Sequence, residues 1–347
     1  MSATAKSQTS IARLLLEWYR AGHRDLPWRR ISDPYRIWVS EIMLQQTRAQ
    51  TVIPYYERFL ERFPTLESLA GAPETDLLAL WSGLGYYSRA RNLKRAAEAI
   101  VRAGDFPRDY DAIRALPGIG DYTAAAIGSI AFGLPHAVVD GNVLRVVARV
   151  ENDASDITAP RTRQRFRAIA QDWLDQAPRD AGTFNQALME LGAVVCLPRN
   201  PACSACPLRD LCRARDAGTT AQLPVKLRRQ QPVSIRATVL LVRRGDEILL
   251  KQRSHHETRM PGFWDLPGPE DLPTVRVGEC CGEFRHSITH HRYTVQVFRA
   301  TLGNGRLPGS FGKALAWFHT ERLGEIPLST TARKGLKRAA VPCHLTI

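Results

Sequence analysis

No run of apolar residues in the chain is long enough to span a bilayer, so no membrane-crossing helix is expected. The N-terminal stretch 1–10 is polar where an export signal would be apolar, and it reads as disordered. A disulfide framework is also missing. Of seven cysteines, four crowd into one loop; Cys280 and Cys281 are neighbours that are hard to bridge, and Cys343 stands apart, all of which points to a reducing compartment. Acidic residues are scarce beside basic ones, 34 against 48, giving a net charge of +14. Such an excess implies a polyanionic partner. Membrane surfaces are the competing reading, but aromatic and glycine-rich loops between the basic stretches favour nucleic acid. There is no internal repeat or low-complexity segment. At 44% hydrophobic residues and 347 positions, the chain can bury one large core or two ordinary ones.

The four crowded cysteines are Cys196, Cys203, Cys206 and Cys212, separated by six, two and five residues. Thiolates this close in one loop reach a single metal centre without help from elsewhere. Structural zinc usually takes two knuckles across a longer spacer, often with histidine. One Cys-x-x-Cys with two unequally spaced outliers suits an iron–sulfur cube better, with zinc as the alternative.

Periodicity divides the chain. Residues 11–222 repeat apolar side chains at three- and four-residue spacing, which predicts helices such as 34–47, 74–81, 90–103, 123–131 and 141–150. Residues 223–232, basic and flanked by proline, read as a linker. Residues 233–347 change to strand patterns at 235–242, 248–252, 293–301 and 314–319, closed by a basic helix near 332–340. An all-α domain followed by a smaller α+β domain is expected.

Three features of the helical part carry chemistry. Leu116-Pro117-Gly118-Ile119-Gly120 between two helical patterns suits a hairpin that offers backbone N–H groups to a phosphate; a plain tight turn is the alternative. Asp140 follows an apolar run and starts a helix, where free N–H groups and the dipole favour its charged form, as they would for any N-cap. Glu41 lies on an apolar helical face beside Ile37, Trp38, Leu44 and Gln45, so its pKa should rise unless a salt bridge holds it. One carboxyl kept neutral and one kept charged is the arrangement that glycosidic cleavage requires.

In combination these motifs resemble the endonuclease III superfamily of helix–hairpin–helix DNA glycosylases. Ser40-Glu41-Ile42-Met43-Leu44-Gln45-Gln46-Thr47, Gly83-Leu84-Gly85-Tyr86-Tyr87 and Phe184-Asn185-Gln186 are similar to the adenine glycosylases of the MutY type. The resemblance implies a 4Fe–4S cluster on the four cysteines and duplex DNA, with adenine opposite 8-oxoguanine or guanine, as partner. It assigns catalysis to Glu41 and Asp140, and a base pocket to Trp28, Arg29, Tyr122, Asn142 and Glu190. It places Gln45, Gln46, Tyr86, Leu116, Gly118 and Gly120 against DNA, with phosphate contacts from Arg199, Arg209, Arg213 and Arg215. Bifunctional members carry a lysine two residues after the last hairpin glycine; here that position is Tyr122, which cannot form a Schiff base. A monofunctional, monomeric enzyme of base excision repair in the bacterial cytoplasm, associated with the nucleoid, is therefore expected.

The C-terminal part resembles a Nudix-type domain through Leu250-Lys251-Gln252-Arg253 and Gly262-Phe263-Trp264-Asp265-Leu266-Pro267-Gly268. The glutamate-bearing helix that would hold Mg²⁺ is missing, so binding without hydrolysis is expected. By the resemblance, Thr289 and His290 fall in a lesion-reading triplet where the family has Phe-Ser-His and this chain has Ile288-Thr289-His290. His286, His290 and His291 lie near two arginines and read as phosphate-facing or solvated rather than metal-binding. Rival readings are a thymine–guanine mismatch glycosylase, a nonenzymatic damage sensor and a Nudix hydrolase.

Overall fold

The computed structural model describes residues 10–227, 231–254, 256–257, 260–288, 290–303 and 314–341. Thr289, Cys343, most of the N-terminal stretch 1–10 and part of the linker lie outside them. Contacts divide the chain into two compact units, one of residues 1–70 and 92–229, the other of residues 71–91 and 230–347. Residues 71–91 thus pack with the C-terminal part although they lie within the helical stretch by sequence.

The helices are α1 (Ile11–Ala21), α2 (Pro34–Leu44), α3 (Ala49–Arg62), α4 (Leu66–Ala70), α5 (Glu74–Trp81), α6 (Ser88–Ala103), α7 (Tyr110–Arg114), α8 (Asp121–Phe132), α9 (Gly141–Val150), α10 (Pro160–Leu174), α11 (Ala181–Glu190) and α12 (Arg213–Asp216). α2 begins at Pro34 behind an Asp33 side chain that accepts the Arg36 N–H, a strong start signal. It stops at Leu44, short of the expected Thr47, because Gln46 adopts a left-handed φ of 57°. α8 is buried from Thr123 through Ser129, and its alanines let α2 and α11 pack against it at close range. The main core of the first unit joins α1, α8, α9, α10 and α11 through residues such as Leu15, Val147, Phe166, Phe184 and Leu188.

In the second unit, β1 (Val233–Arg244), β2 (Glu247–Gln252), β3 (Trp264–Asp265), β4 (Val275–Ile288), β5 (His291–Leu302) and β6 (Leu315–His319) build a mixed sheet. The order is β3-β2-β1-β5-β4, with β6 also on β2. β1 and β5 run parallel from Val233↔His291 to Val242↔Ala300, while β4 and β5 form an antiparallel hairpin. α13 (Thr330–Arg338) covers one face through Ala332 and Leu336, against Val239, Leu266 and Val297. A smaller cluster around Leu240, Leu249 and Leu315 fills the other face.

Candidate active site and cysteine loop

α2, α8 and α9 of the first unit bring Glu41, Tyr122 and Asp140 into one electrostatic group. Glu41 is on the buried side of α2, 5% exposed. Tyr122, in the first turn of α8, donates its hydroxyl to Glu41 Oε2 at 2.9 Å and lies 3.1 Å from Met189 Sδ. Burial lifts the Glu41 carboxyl from 4.5 to about 7; the Tyr122 hydrogen bond opposes the rise and the charge of Asp140 adds to it. Burial and the two carboxylates push the Tyr122 phenol well above its usual value, so it stays protonated.

Asp140 caps α9. Its Oδ1 accepts from the backbone N–H groups of Asn142 (2.9 Å) and Val143 (2.8 Å), and its Oδ2 from Asn142 Nδ2 (3.0 Å). The capping geometry matches the sequence expectation, but the expected lowering of its pKa does not follow. Burial raises Asp140, and its donors and the Arg145 charge only partly offset that. Three donors on Asp140 against one hydroxyl on Glu41 still make Asp140 the better supported anion.

The pocket residues named from the resemblance divide. Asn142 bridges Asp140 and Arg145, donating to the first and accepting from the second at 2.9 Å. Glu190 is 1% exposed and fully engaged: Arg24 chelates it through Nε and Nη2 (2.6 Å for the latter), and Arg29 Nη2 donates at 2.7 Å. Burial alone would raise Glu190, yet the two guanidiniums outweigh it and hold the carboxyl at about 2. Arg29 also lies 5.4 Å above the Tyr19 ring and lowers the Glu41 carboxyl by its charge. Trp28 is buried edge-on to Tyr56. Gln45 donates from Nε2 to Thr123 Oγ1 at 3.3 Å, while Gln46 is set apart by its left-handed backbone.

At the hairpin, Leu116 is half-buried and Gly118 and Gly120 are exposed. Gly118 has φ +78°, and a Cβ there would lie 2.5 Å from Asn92 Cβ, so both conformation and space demand glycine. Asp121, first in α8, is paired with Arg114 (2.5 Å) and Arg167 (2.9 Å). In the second unit Tyr86 is exposed and left-handed, and the His290 ring centroid lies 4.0 Å from that of His291 with the two rings tilted by 40°.

Cys196, Cys203, Cys206 and Cys212 all line one partly open cavity of about 20 Å³ together with Arg149, Arg209 and Arg215. Among the described residues no three His, Cys, Asp or Glu side chains are placed to share one metal ion. Four thiols that line one cavity without being placed to share a single ion fit a multi-atom cluster. Two arginines that the sequence did not reveal tie this loop to α9. Arg145 donates to Cys196 O (2.7 Å) and Gly192 O (2.7 Å). Arg149, 2% exposed, donates to Thr220 O, Leu223 O and Leu197 O and sits 3.3 Å from Cys196 Sγ. Their partners lie 47–74 residues away, so only the fold could show them. Close approach of this loop also requires Gly192, where a Cβ would meet Asn142 Cβ at 2.7 Å. Arg209, Arg213 and Arg215 are exposed and ion-paired with Asp210, Glu151 and Asp216, and Arg199 is exposed.

Residues 39–171 match the HhH-GPD superfamily of base excision DNA repair proteins, and residues 196–212 match the iron–sulfur binding domain of endonuclease III. The cysteine loop is accordingly an iron–sulfur binding segment, not a zinc knuckle. The chain is 47% identical over 220 residues to the adenine DNA glycosylase of Homo sapiens, covering 60% of this chain and 40% of that protein. It is 39% identical over 372 residues to the adenine DNA glycosylase of Schizosaccharomyces pombe, covering 82% and 80% respectively. It therefore spans about two fifths of the human relative's length and four fifths of the yeast one. Among solved structures, that of a thermostable thymine-DNA glycosylase superposes with a TM-score of 0.53 at 29% identity, covering 59% of this chain and 95% of that one. The HhH-GPD match and this superposition bear out the expected helical glycosylase fold of the first unit.

Proposed function

The chain belongs to the adenine DNA glycosylase family, and from that premise we propose that it hydrolyses the N-glycosidic bond of adenine opposite 8-oxoguanine or guanine in duplex DNA, without strand cleavage of its own. The observation that carries this reading is the Glu41–Tyr122–Asp140 group, in which a buried carboxyl with a pKa of about 7 shares a site with a carboxylate fixed at a helix N-terminus.

A stacked base is out of reach of either carboxyl, so the adenine has to leave the duplex first. Glu41, substantially protonated near neutrality, then donates to the base; Tyr122 occupies Oε2, leaving Oε1 to carry the proton. As the glycosidic bond weakens, positive charge grows on the sugar and Asp140 stabilises it, after which water completes the hydrolysis. The phenol of Tyr122 stays protonated and cannot form a Schiff base, so this position lacks the amine that a lysine there would bring to strand cleavage. Gln45, Gln46 and Tyr86 are assigned to the DNA stack, with the hairpin N–H groups at a phosphate. Trp28, Arg29 and Asn142 border the base site, and Glu190 holds Arg29 in place. In the second unit, Thr289 and His290 read the lesion. The cysteines hold a 4Fe–4S cluster, whose contribution is to order a DNA-facing loop.

Duplexes carrying adenine or thymine opposite 8-oxoguanine or guanine test the proposal, with products resolved before and after alkali. Adenine release that yields breaks only after alkali is expected. Preferred release of thymine would favour the second reading, which the thymine-DNA glycosylase superposition keeps open. Iron and sulfide analysis checks the cluster, with four of each per chain expected for a cube.

A further inference from the structure

The segment that presents Tyr86 is built in a way its exposure alone does not explain. Gly83, Gly85 and Tyr86 all have positive φ (109°, 71° and 49°), a conformation that disfavours an aromatic L-residue. Tyr86 is nonetheless 44% exposed, so its ring gains little from burial in return. What holds this backbone is Arg89, which is only 9% exposed. Its Nη2 donates to Leu84 O and to Gly85 O, each at 3.1 Å. Its guanidinium lies 5.5 Å from the Trp81 ring and 5.6 Å from the Tyr86 ring. The Trp81 indole N–H donates to the same Gly85 carbonyl at 3.2 Å, and the Tyr87 hydroxyl accepts from Gly83 N–H at 3.3 Å. Burial lowers the Arg89 pKa to about 10, which leaves the group charged at neutral pH while showing that this placement costs solvation.

We propose that Arg89 is a positioning residue for the DNA step: it fixes the left-handed turn at Gly85-Tyr86 so that the Tyr86 ring projects as a preformed wedge. This rests on the assignment of Tyr86 to the DNA stack in the proposed function. The logic is that of preorganisation, since a wedge already held in its inserting conformation loses little further entropy when a duplex arrives. A planar guanidinium suits the task because one nitrogen can bind two neighbouring carbonyls while its face meets two aromatic rings; an ammonium offers no such plane.

The experiment is a double-mutant cycle on the full chain between Arg89→Met and Tyr86→Ala, read as single-turnover adenine release opposite 8-oxoguanine. Thermal unfolding of each variant is followed in parallel. Tyr86→Ala alone tests the underlying assignment, and a normal rate for it overturns that assignment. With Tyr86 contributing, Arg89→Met should slow release roughly tenfold to a hundredfold. In the Tyr86→Ala background it should add no further loss. Independent, multiplying losses, or no loss on Arg89→Met alone, overturn the positioning role while leaving the glycosylase reading intact. If Arg89→Met does not fold, Arg89→Lys takes its place; it keeps the charge and loses the planar fork. The same absence of an added loss is expected, and a fully normal rate for Arg89→Lys overturns the proposal.

Discussion

Replacing Glu41 with glutamine should separate chemistry from stability in opposite directions. The native carboxyl titrates at about 7 when folded against 4.5 in its reference state, because burial penalises the charged form. A carboxyl raised on folding makes the folded state bind more protons between those values, so its contribution to stability falls as pH rises from about 4.5 to about 7. Above that window the folded protein carries the whole penalty, about 3 kcal/mol at roughly 1.4 kcal/mol per pH unit. Glutamine has the same shape, keeps an oxygen for the Tyr122 hydroxyl and never ionises. Glu41→Gln should therefore be more stable than the native chain by about 3 kcal/mol at pH 8, and by under about 1 kcal/mol at pH 5. Adenine release should fall by at least about a hundredfold, the usual worth of a general acid. Urea unfolding at the two pH values, with native chain and variant under identical conditions, reads the first effect; single-turnover release reads the second. The native rate should decline as pH rises through about 7. A stability gap that does not change with pH, or a variant weaker than the native chain at pH 8, would refute the claim that burial dominates at Glu41.

Asp140→Asn should retain the helix cap, since asparagine caps as well as aspartate, and leave stability within about 1 kcal/mol while adenine release is lost; DNA-binding titrations should match the native chain. Glu190→Gln leaves Arg24 and the buried Arg29 without their shared anion and should cost about 3–5 kcal/mol in urea unfolding at pH 7. The native Glu190 contribution, from a carboxyl held at about 2, is present above pH 4.5 and is lost as pH falls through about 2, so the two proteins should converge in acid. Gly118→Ala forces a left-handed alanine against Asn92 and should weaken duplex binding as well as lower the unfolding midpoint, measured by fluorescence anisotropy and thermal denaturation.

Sequence legibility followed local signals. α5 and α9 span the expected residues because each has a distinct start and a strong periodic run. α3 begins five residues before Pro54, which sits inside the helix where proline usually marks a first turn and so hides the true start. β4 was not legible as one strand: its residues are largely exposed, glycine and adjacent cysteines interrupt it, and two register shifts break its pairing near Cys280. α10 escaped notice because a narrow buried stripe, Thr162, Phe166, Ala170 and Trp173, runs among four arginines. At the site, Glu41, Tyr122 and Asp140 were readable from motifs, each close to a helix start or on an apolar face. Arg145 and Arg149 were not, since they look like interruptions of an apolar run until the distant carbonyls they bind are seen.

The joining of residues 71–91 to the C-terminal part has a consequence for synthesis. Ser82 Oγ donates to Leu328 O at 2.8 Å, the Tyr87 ring lies 4.1 Å from Phe263, and Arg91 Nη2 donates to Pro261 O at 2.7 Å. These partners leave the ribosome long after the segment they cover. Tyr87 and Phe263 are separated by 176 residues and Ser82 and Leu328 by 246, which at about 5–20 residues per second is on the order of 9–50 s of translation. During that interval Ser82 and Tyr87 wait for their covering residues, and a nascent chain halted before residue 230 never acquires them. Pulse proteolysis of stalled chains should accordingly cut within 71–91, a stretch that the finished protein protects.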